Sequence, residues 1–562
     1  MNILTRGAYA EPATSLNFKT GTWRVRKPVH SYQPAPCHHV CPAGENPQAY
    51  LAHLQSGHTR AAWEELVKAN PLPAITGRVC PHVCETACNR TQFDEAVAIH
   101  AVERFLGEEA IAKDWPYPVA PVPANAPSVA VVGAGPAGLS AAYHLVRLGL
   151  RVTLIEDRSE PGGILRSAIP QYRLPREVLD AEINRVLALD GIHFLPHTRL
   201  GRDIHLHDLQ EKHVAVLLAP GAQRSREWNI DGVSPKDLQY GLELLQEWMD
   251  IGKIPTPKSV AIVGAGNTAV DVARIMRRAG VPEVHLISHK PMPGANVPLS
   301  EAMPAIEREV REAVEEGVRI HEYRGIRRLI LRGEKVVGVE LVHMKKLMQA
   351  GGRLKRVAFT GTETILNVEQ VIPAIGQVIN PFGMESVVYN SHLQVDAWGR
   401  LEHHAGLYAG GDACANEGTV TAAVGDGRRA AMAIVADLRR EALPSAKKTD
   451  PIGYAELNLV YYEHSTCAQE AVLPLEERKE NTEIVSGLGH AAVMTESRRC
   501  FSCGNCLACD NCWTLCPDSA VLKTKESASD GSHYVFDYDY CKGCGLCAHE
   551  CPCGYIAMVD EL

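Results

Sequence analysis

"SVAVVGAGPAGLSAAYHLVRLGLRVTLIED" occupies Ser128–Asp157. An apolar run leads into a glycine turn, then a helical stretch, then a second apolar run. In this frame Gly133 permits the tight turn. Gly135 lets a pyrophosphate approach the backbone at a helix N-terminus, and Gly138 lets helix and strand pack closely. Pro136 and Ala137 open that helix. Glu156 closes the second run, 23 residues after Gly133, where a carboxylate can hold ribose hydroxyls. The stretch predicts a dinucleotide fold built on parallel strands.

The pattern returns once. "SVAIVGAGNTAVDVARIMRRAGVPEVHLIS" occupies Ser259–Ser288. Gly264 and Gly266 repeat the first two glycines, and Ala269 takes the third place, an accepted variant. Asn267, Thr268 and Asp271 lie at the start of the second helix and are candidates for the second nucleotide. No acid closes the second strand. Ser288, His289 and Lys290 follow instead. A carboxylate would repel the extra phosphate of NADP and a cation would attract it, so NADP is favoured over NAD.

The 562 residues exceed a single core. Proline-rich "PYPVAPVPANAP" at 116–127 marks a boundary. Strand and helix patterns alternate over 128–440, and cysteine-rich segments flank them. The expected division is 1–120 for an arm and helical cysteine-bearing domain, 128–250 with 371–440 for the first dinucleotide, and 251–370 for NAD(P). A connector over 441–495 and a cysteine-rich domain over 496–562 complete it. The fold class is α/β: Rossmann-like with two dinucleotide-binding domains, an N-terminal helical domain and a C-terminal α+β domain.

Of the 18 cysteines, five lie in Cys37–Cys88 and eleven in Cys500–Cys553. Such clustering, with no export leader visible in "MNILTRGAYAEPATS", points to metal rather than disulfides and to a cytoplasmic protein. Net charge is −9, which argues against nucleic acid as a main partner. No apolar run reaches membrane-spanning length.

The spacing C-x2-C-x2-C-x3-C-P belongs to ferredoxins with [4Fe–4S] clusters. It fits Cys506, Cys509, Cys512 and Cys516 before Pro517, and again Cys541, Cys544, Cys547 and Cys551 before Pro552. The fourth cysteine of each run then serves the other cluster. One cluster would use Cys506, Cys509, Cys512 and Cys551; the other would use Cys541, Cys544, Cys547 and Cys516. Cys500, Cys503 and Cys553 are left over, and "CFSC" at 500–503 offers a competing register. Gly543 and Gly545 can turn backbone amides toward cluster sulfurs, and "HYVFDYDY" (His533–Tyr540) alternates like a strand.

The central chain resembles the glutamate synthase small-subunit family of FAD- and NADPH-binding flavoproteins. Besides both glycine turns, the resemblance rests on "GGILRSAIPQYRLPREVL" (Gly162–Leu179), "APGA" (Ala219–Ala222), "AIGQ" (Ala374–Gln377) and "GLYAGGDA" (Gly406–Ala413). It implies cofactor contacts at Gly163, Leu165, Arg173, Gly221, Gly376, Gly411 and Asp412, with Asp412 on the phosphate–ribityl region. It also implies that the helix after Thr419 points its N-terminus at the flavin. Hydride transfer needs two stacked rings and no acid or base, so no catalytic side chain is expected. Cys414 is read as a packed loop residue, with a redox thiol as the alternative. The family's paired arginines after the second strand are replaced here by "SHKPMPGANVPLSEAMPA" (Ser288–Ala305).

"PCHHVCP" and "GRVCPHVCETACNR" resemble the helical iron–sulfur domain of the same family, which has two further cysteines where this chain has "HSYQPAP". The resemblance implies one cluster on Cys41, Cys80 and Cys84, with Glu103 as a fourth ligand. Cys37 and Cys88 match a second cluster that has lost two ligands. They join the one cluster, remain free, or gain other ligands such as His38 or His39. Zinc is the plain alternative for this region.

The tail resembles the ferredoxin-like delta subunit of 2-oxoacid:ferredoxin oxidoreductases, and "TGTWRVRKPV" (Thr20–Val29) is similar to their opening segment. The combined reading is an FAD-dependent NAD(P)H oxidoreductase that splits hydride pairs into single electrons. Its partner would be a 2-oxoacid oxidoreductase-like set of redox subunits or ferredoxin. The alternatives are a glutamate synthase small subunit, a stand-alone or bifurcating NAD(P)H:ferredoxin oxidoreductase, a metal-reducing one, and a scaffold with vestigial sites.

Overall fold

Val129–Val132 is apolar throughout because parallel neighbours and flanking helices cover both faces of the strand, and all four residues are buried. The computed structural model describes residues 5–6, 19–230, 238–294, 296–348, 354–414, 418–444, 449–479, 481–525 and 532–561. The opening stretch on which the leader was judged lies outside them, apart from Thr5–Arg6.

The chain forms two units, Val119–Ala442 with Ala471–Ser486, and Met1–Pro118 with Leu443–Glu470 and Gly487–Leu562. In the first, a five-stranded parallel sheet runs in the order Leu407–Ala409, Ala215–Leu218, Ser128–Val132, Arg151–Ile155, Ile192–Leu195. Helices Pro136–Arg147 and Val420–Arg439 pack together beside it. A second parallel sheet has the order Arg319–His321, Glu283–Ile287, Ser259–Val263, Gln370–Pro373. An antiparallel meander, Arg324–Arg332, Lys335–Met348 and Leu354–Leu366, is inserted before its last strand. The sequence reading had not resolved this meander from the αβ alternation.

Residues 441–495, read as one connector, are shared between the units. Ile484 is buried in the core of the second sheet's domain, and its amide donates to the Tyr172 carbonyl at 3.2 Å.

The other unit joins the two cysteine-rich ends. Helices Pro47–Gln55 and Thr59–Leu66 are separated where Gly57 takes φ 76°. Arg26–His30 pairs antiparallel with Ile556–Asp560. Gly21 donates its amide to the Asp539 carbonyl at 2.9 Å, and Arg24 pairs with Glu561 at 2.8 Å. The "GTWR" arm is therefore an integral part of the ferredoxin fold. Of the eight residues read as a strand at 533–540, only Tyr534–Phe536 are one, because Tyr540 and Cys541 already donate to the Asp537 carbonyl in the turn toward the cysteine loop. Among the described residues no helix is long and apolar enough to cross a membrane.

Candidate functional site: two nucleotide turns and three cysteine assemblies

Gly133 takes φ 102°, and a side chain there would strike the Ala219 carbonyl at 2.2 Å. A Cβ on Gly138 would stand 1.8 Å from the Gly133 carbonyl, so the helix rests directly on the turn. Gly135 differs: among the described residues its added Cβ would meet only Gly163 Cα, at 3.8 Å. This open backbone at the N-terminus of Pro136–Arg147 suits an approaching phosphate. Glu156 accepts from the Ala134 amide at 2.9 Å and the Arg158 amide at 3.1 Å. Burial and neighbouring Asp157 push its carboxyl up to about 7.

Asp412 lies on a short turn, Gly411–Ala413, at the end of the sheet's edge strand Leu407–Ala409. Among the described residues its Oδ1 is buried without a hydrogen-bond partner, and burial beside Asp426 pushes the carboxyl up to about 6. A buried acceptor with nothing to accept from costs on the order of 1–3 kcal/mol and marks a place for a ligand hydroxyl. Gly135, Glu156 and Asp412 together fit the FAD that the glycine pattern implies. Thr419 caps Val420–Arg439, accepting from the Ala422 amide at 3.2 Å. Cys414 is buried, and burial with Asp426 and Asp412 pushes its thiol up to about 12, which makes it a packing residue at neutral pH.

The second turn repeats the first. A side chain on Gly264 would strike the Ala374 carbonyl at 2.3 Å, whereas a Cβ on Gly266 would meet nothing within 4 Å among the described residues. Asn267 accepts from the Ile306 amide at 2.9 Å. Arg173 and Asp271, expected at the nucleotides, face each other in a buried pair at 2.8 and 2.9 Å. Arg173 also pairs with Glu309 at 3.1 Å. Their charges serve a buried ion network.

Ser288 and Lys290 close a small turn through the Ser288 hydroxyl, at 2.7 and 3.0 Å. His289 is pushed down to about 4 by burial and by the charges of Arg356, Lys290 and Lys346. Lys346 and Arg356 are register partners in the meander. Sequence reading missed them because they lie more than 55 positions beyond the glycine turn, and only the hairpin returns them to His289.

In the tail, one cavity is lined by Cys506, Cys509, Cys512 and Cys551, with Cys553 beside them. A second is lined by Cys516, Cys541, Cys544 and Cys547. The quartets match the crossed ferredoxin pattern. Amides of Ala520 and Tyr555 point at the Cys516 and Cys551 sulfurs, each at 3.3 Å. The Cys551 thiol, hydrogen-bonded to Cys553 at 3.7 Å, is pulled down toward thiolate. Gly543 takes φ 75° against the Arg26 carbonyl.

In the N-terminal helices, the charges of Glu45, Cys80 and Glu103 act on Cys41, and those of Cys80 and Cys41 act on Cys84. Glu103 is buried and accepts from Asn70 at 3.0 Å and from Thr76. Asn70 also donates to Glu45 at 2.8 Å. Glu45 is a second buried carboxylate at this site. Its signal in the sequence was only its place four residues after Cys41.

Two nucleotide turns on successive parallel sheets, with cysteine quartets elsewhere in the chain, define a two-dinucleotide flavoprotein with built-in iron–sulfur centres. The chain belongs to the pyridine nucleotide-disulphide oxidoreductase family, whose model matches residues 127–427. Residues 30–115 match dihydropyrimidine dehydrogenase domain II, 4Fe-4S cluster, and residues 505–555 match a 4Fe-4S dicluster domain. The chain is 32% identical over 539 residues to the NADP(+)-dependent formate dehydrogenase subunit beta of Moorella thermoacetica, covering 88% of this chain and 73% of that one. It is 33% identical to the NADPH-Fe(3+) oxidoreductase subunit beta of Geobacter sulfurreducens, covering 73% of this chain and 65% of that one. It is 30% identical to the glutamate synthase [NADPH] small chain of Azospirillum brasilense, covering 75% and 88%. The chain is an FAD-dependent NAD(P)H oxidoreductase with [4Fe–4S] clusters in its N- and C-terminal regions.

Proposed function

We propose that the chain is the electron-transfer subunit of a larger redox assembly, exchanging electrons between NADPH and a partner through its tail. Held here, FAD would supply the exchange between the two-electron chemistry of the nicotinamide and the one-electron chemistry of the clusters. Gly135 and Gly266 would admit the two pyrophosphates, Glu156 would hold a ribose, and Asp412 Oδ1 would accept from the flavin nucleotide. The observation that carries the reading is the pair of crossed cysteine quartets lining two cavities in the tail of a two-nucleotide flavoprotein. The cations around His289 favour NADPH, as do the names of the Moorella and Geobacter relatives. The partner is a 2-oxoacid oxidoreductase-like set of subunits or ferredoxin, suggested by the tail's likeness to the delta subunit.

Cys544→Ala tests the route. Flavin bleaching by NADPH should persist while reduction of added ferredoxin stops; loss of both would reject a separate outlet. Gly135→Val should remove FAD and leave the tail's iron. Anaerobic purification from native cells then identifies the partner. Thiamine-binding subunits support the 2-oxoacid reading, and a large amidotransferase or a chain that comes alone would replace it.

A further inference from the structure

Cys37 and Cys88 lack two partners in the N-terminal pattern, and Cys500 and Cys503 are surplus in the tail. We propose that these four hold one additional [4Fe–4S] cluster, ligated jointly by the two ends of the chain.

The segment 496–504 is laced onto the N-terminal helices. Glu496 accepts from the Ala98 amide at 2.8 Å. Arg499 donates to the Ala96 and Glu95 carbonyls at 2.8 and 2.7 Å. Arg90 donates to the Arg499 carbonyl and lies over the Phe501 ring, 4.9 Å from its centre. On the other side Gln48 donates to the Ser502 hydroxyl at 2.8 Å. Gly504 takes φ 72° with its backbone against Gln33, where a Cβ would stand 2.1 Å from the carbonyl.

These contacts bring the cysteines to one place. Cys37 lies on Pro36–Val40, which packs on Val83–Thr86, and Cys88 follows that turn. Asn89, next to Cys88, donates to the Cys503 sulfur at 3.6 Å. Cys500, Cys88 and Cys503 all act electrostatically on Cys37. The Ser502 amide points at the Cys500 sulfur at 3.4 Å. Cys37 and Cys503 are buried, and the others are half-buried. Amide donors, burial and four soft ligands are what a cluster site needs.

The spacing argues against one zinc ion. With Zn–S near 2.3 Å, tetrahedral sulfurs lie about 3.8 Å apart. Among the described residues only His82, Glu85 and His100 form a set of three metal-type ligands within 4.8 Å of one another, so no three of these sulfurs are that close. The same is true of both tail quartets.

The inference rests on the N-terminal region carrying clusters and is independent of the partner. The test is iron and sulfide content with EPR on anaerobically purified full chain. Cys500→Ser, Cys503→Ser, Cys37→Ser and Cys88→Ser should each lose about four irons, and Cys37→Ser/Cys500→Ser should lose no more than either alone. FAD and the tail signals should remain. Full iron in both tail variants would overturn the joint site, while wild-type iron accounting for the tail alone would instead overturn the N-terminal clusters. Alkylation mapping of the unmutated chain covers variants that fail to fold. Cys37, Cys88, Cys500 and Cys503 should become reactive together as a chelator strips iron. Cys500 and Cys503 reacting as fast as Cys467 in the iron-replete chain would overturn the proposal.

Discussion

Asn89 directs its side-chain amide at the Cys503 sulfur, 3.6 Å away, across 414 positions of sequence. A hydrogen bond to a cluster sulfur favours the more reduced state and raises the potential. Asn89→Leu should lower the potential of the joint cluster. A bond worth about 1 kcal/mol corresponds to roughly 40 mV for one electron. An EPR-monitored redox titration reads this, and the tail clusters should not move.

Gly21 sits where a Cβ would meet the Tyr538 carbonyl at 2.1 Å. Gly21→Ala should force the arm off the tail at a cost of about 1–3 kcal/mol. The expected readouts are a lower thermal midpoint for the cluster-bearing unit and faster iron loss in air, with flavin reduction by NADPH unchanged.

His100 lies between Glu85 at 2.7 Å and Glu470 at 2.9 Å, stacked on His82 with ring centres 3.9 Å apart. Burial works against its charge, but the two carboxylates prevail and hold it at about 9. Its folded value is raised above the unfolded one near 6.5, so its contribution is complete below pH 6.5 and is lost as pH rises through 9. That contribution is on the order of 3 kcal/mol. Denaturant midpoints of the wild type should fall between pH 6.5 and 9.5, and His100→Gln should flatten the profile.

Lys346 pairs in register with Arg356 and acts on His289. If this hairpin supplies the cation for the 2′-phosphate, Lys346→Glu should raise KM for NADPH roughly tenfold, about 1.4 kcal/mol, and leave KM for NADH nearly unchanged. Steady-state kinetics with both coenzymes decide it.

The two glycine turns were legible because strand, turn, helix and second strand lie within about thirty consecutive residues. The crossed quartets were legible for a similar reason: the two runs each carry a local spacing, and the crossing is a rule of the motif. Distance in sequence hid the rest. Nothing around Cys500 points to Cys37 or Cys88, since the lacing through Arg90, Gln48 and Arg499 joins residues several hundred positions apart. Lys346 and Arg356 read as ordinary surface charges on a polar hairpin. Arg173 and Asp271 lie close to nucleotide motifs, yet their side chains meet each other.

The pairing of Arg26–His30 with Ile556–Asp560 has a consequence for biosynthesis. The earlier strand of the pair must wait, unpartnered, until the later one has been made. Cys37 and Cys88 would wait as long for Cys500 and Cys503. The flavin domain can fold on the ribosome meanwhile, whereas metallation of the joint site comes after Cys500 and Cys503 have emerged. Iron delivery to that site is therefore a late step of maturation, and a nascent chain stalled before residue 496 would hold Cys37 and Cys88 with no complete site to occupy.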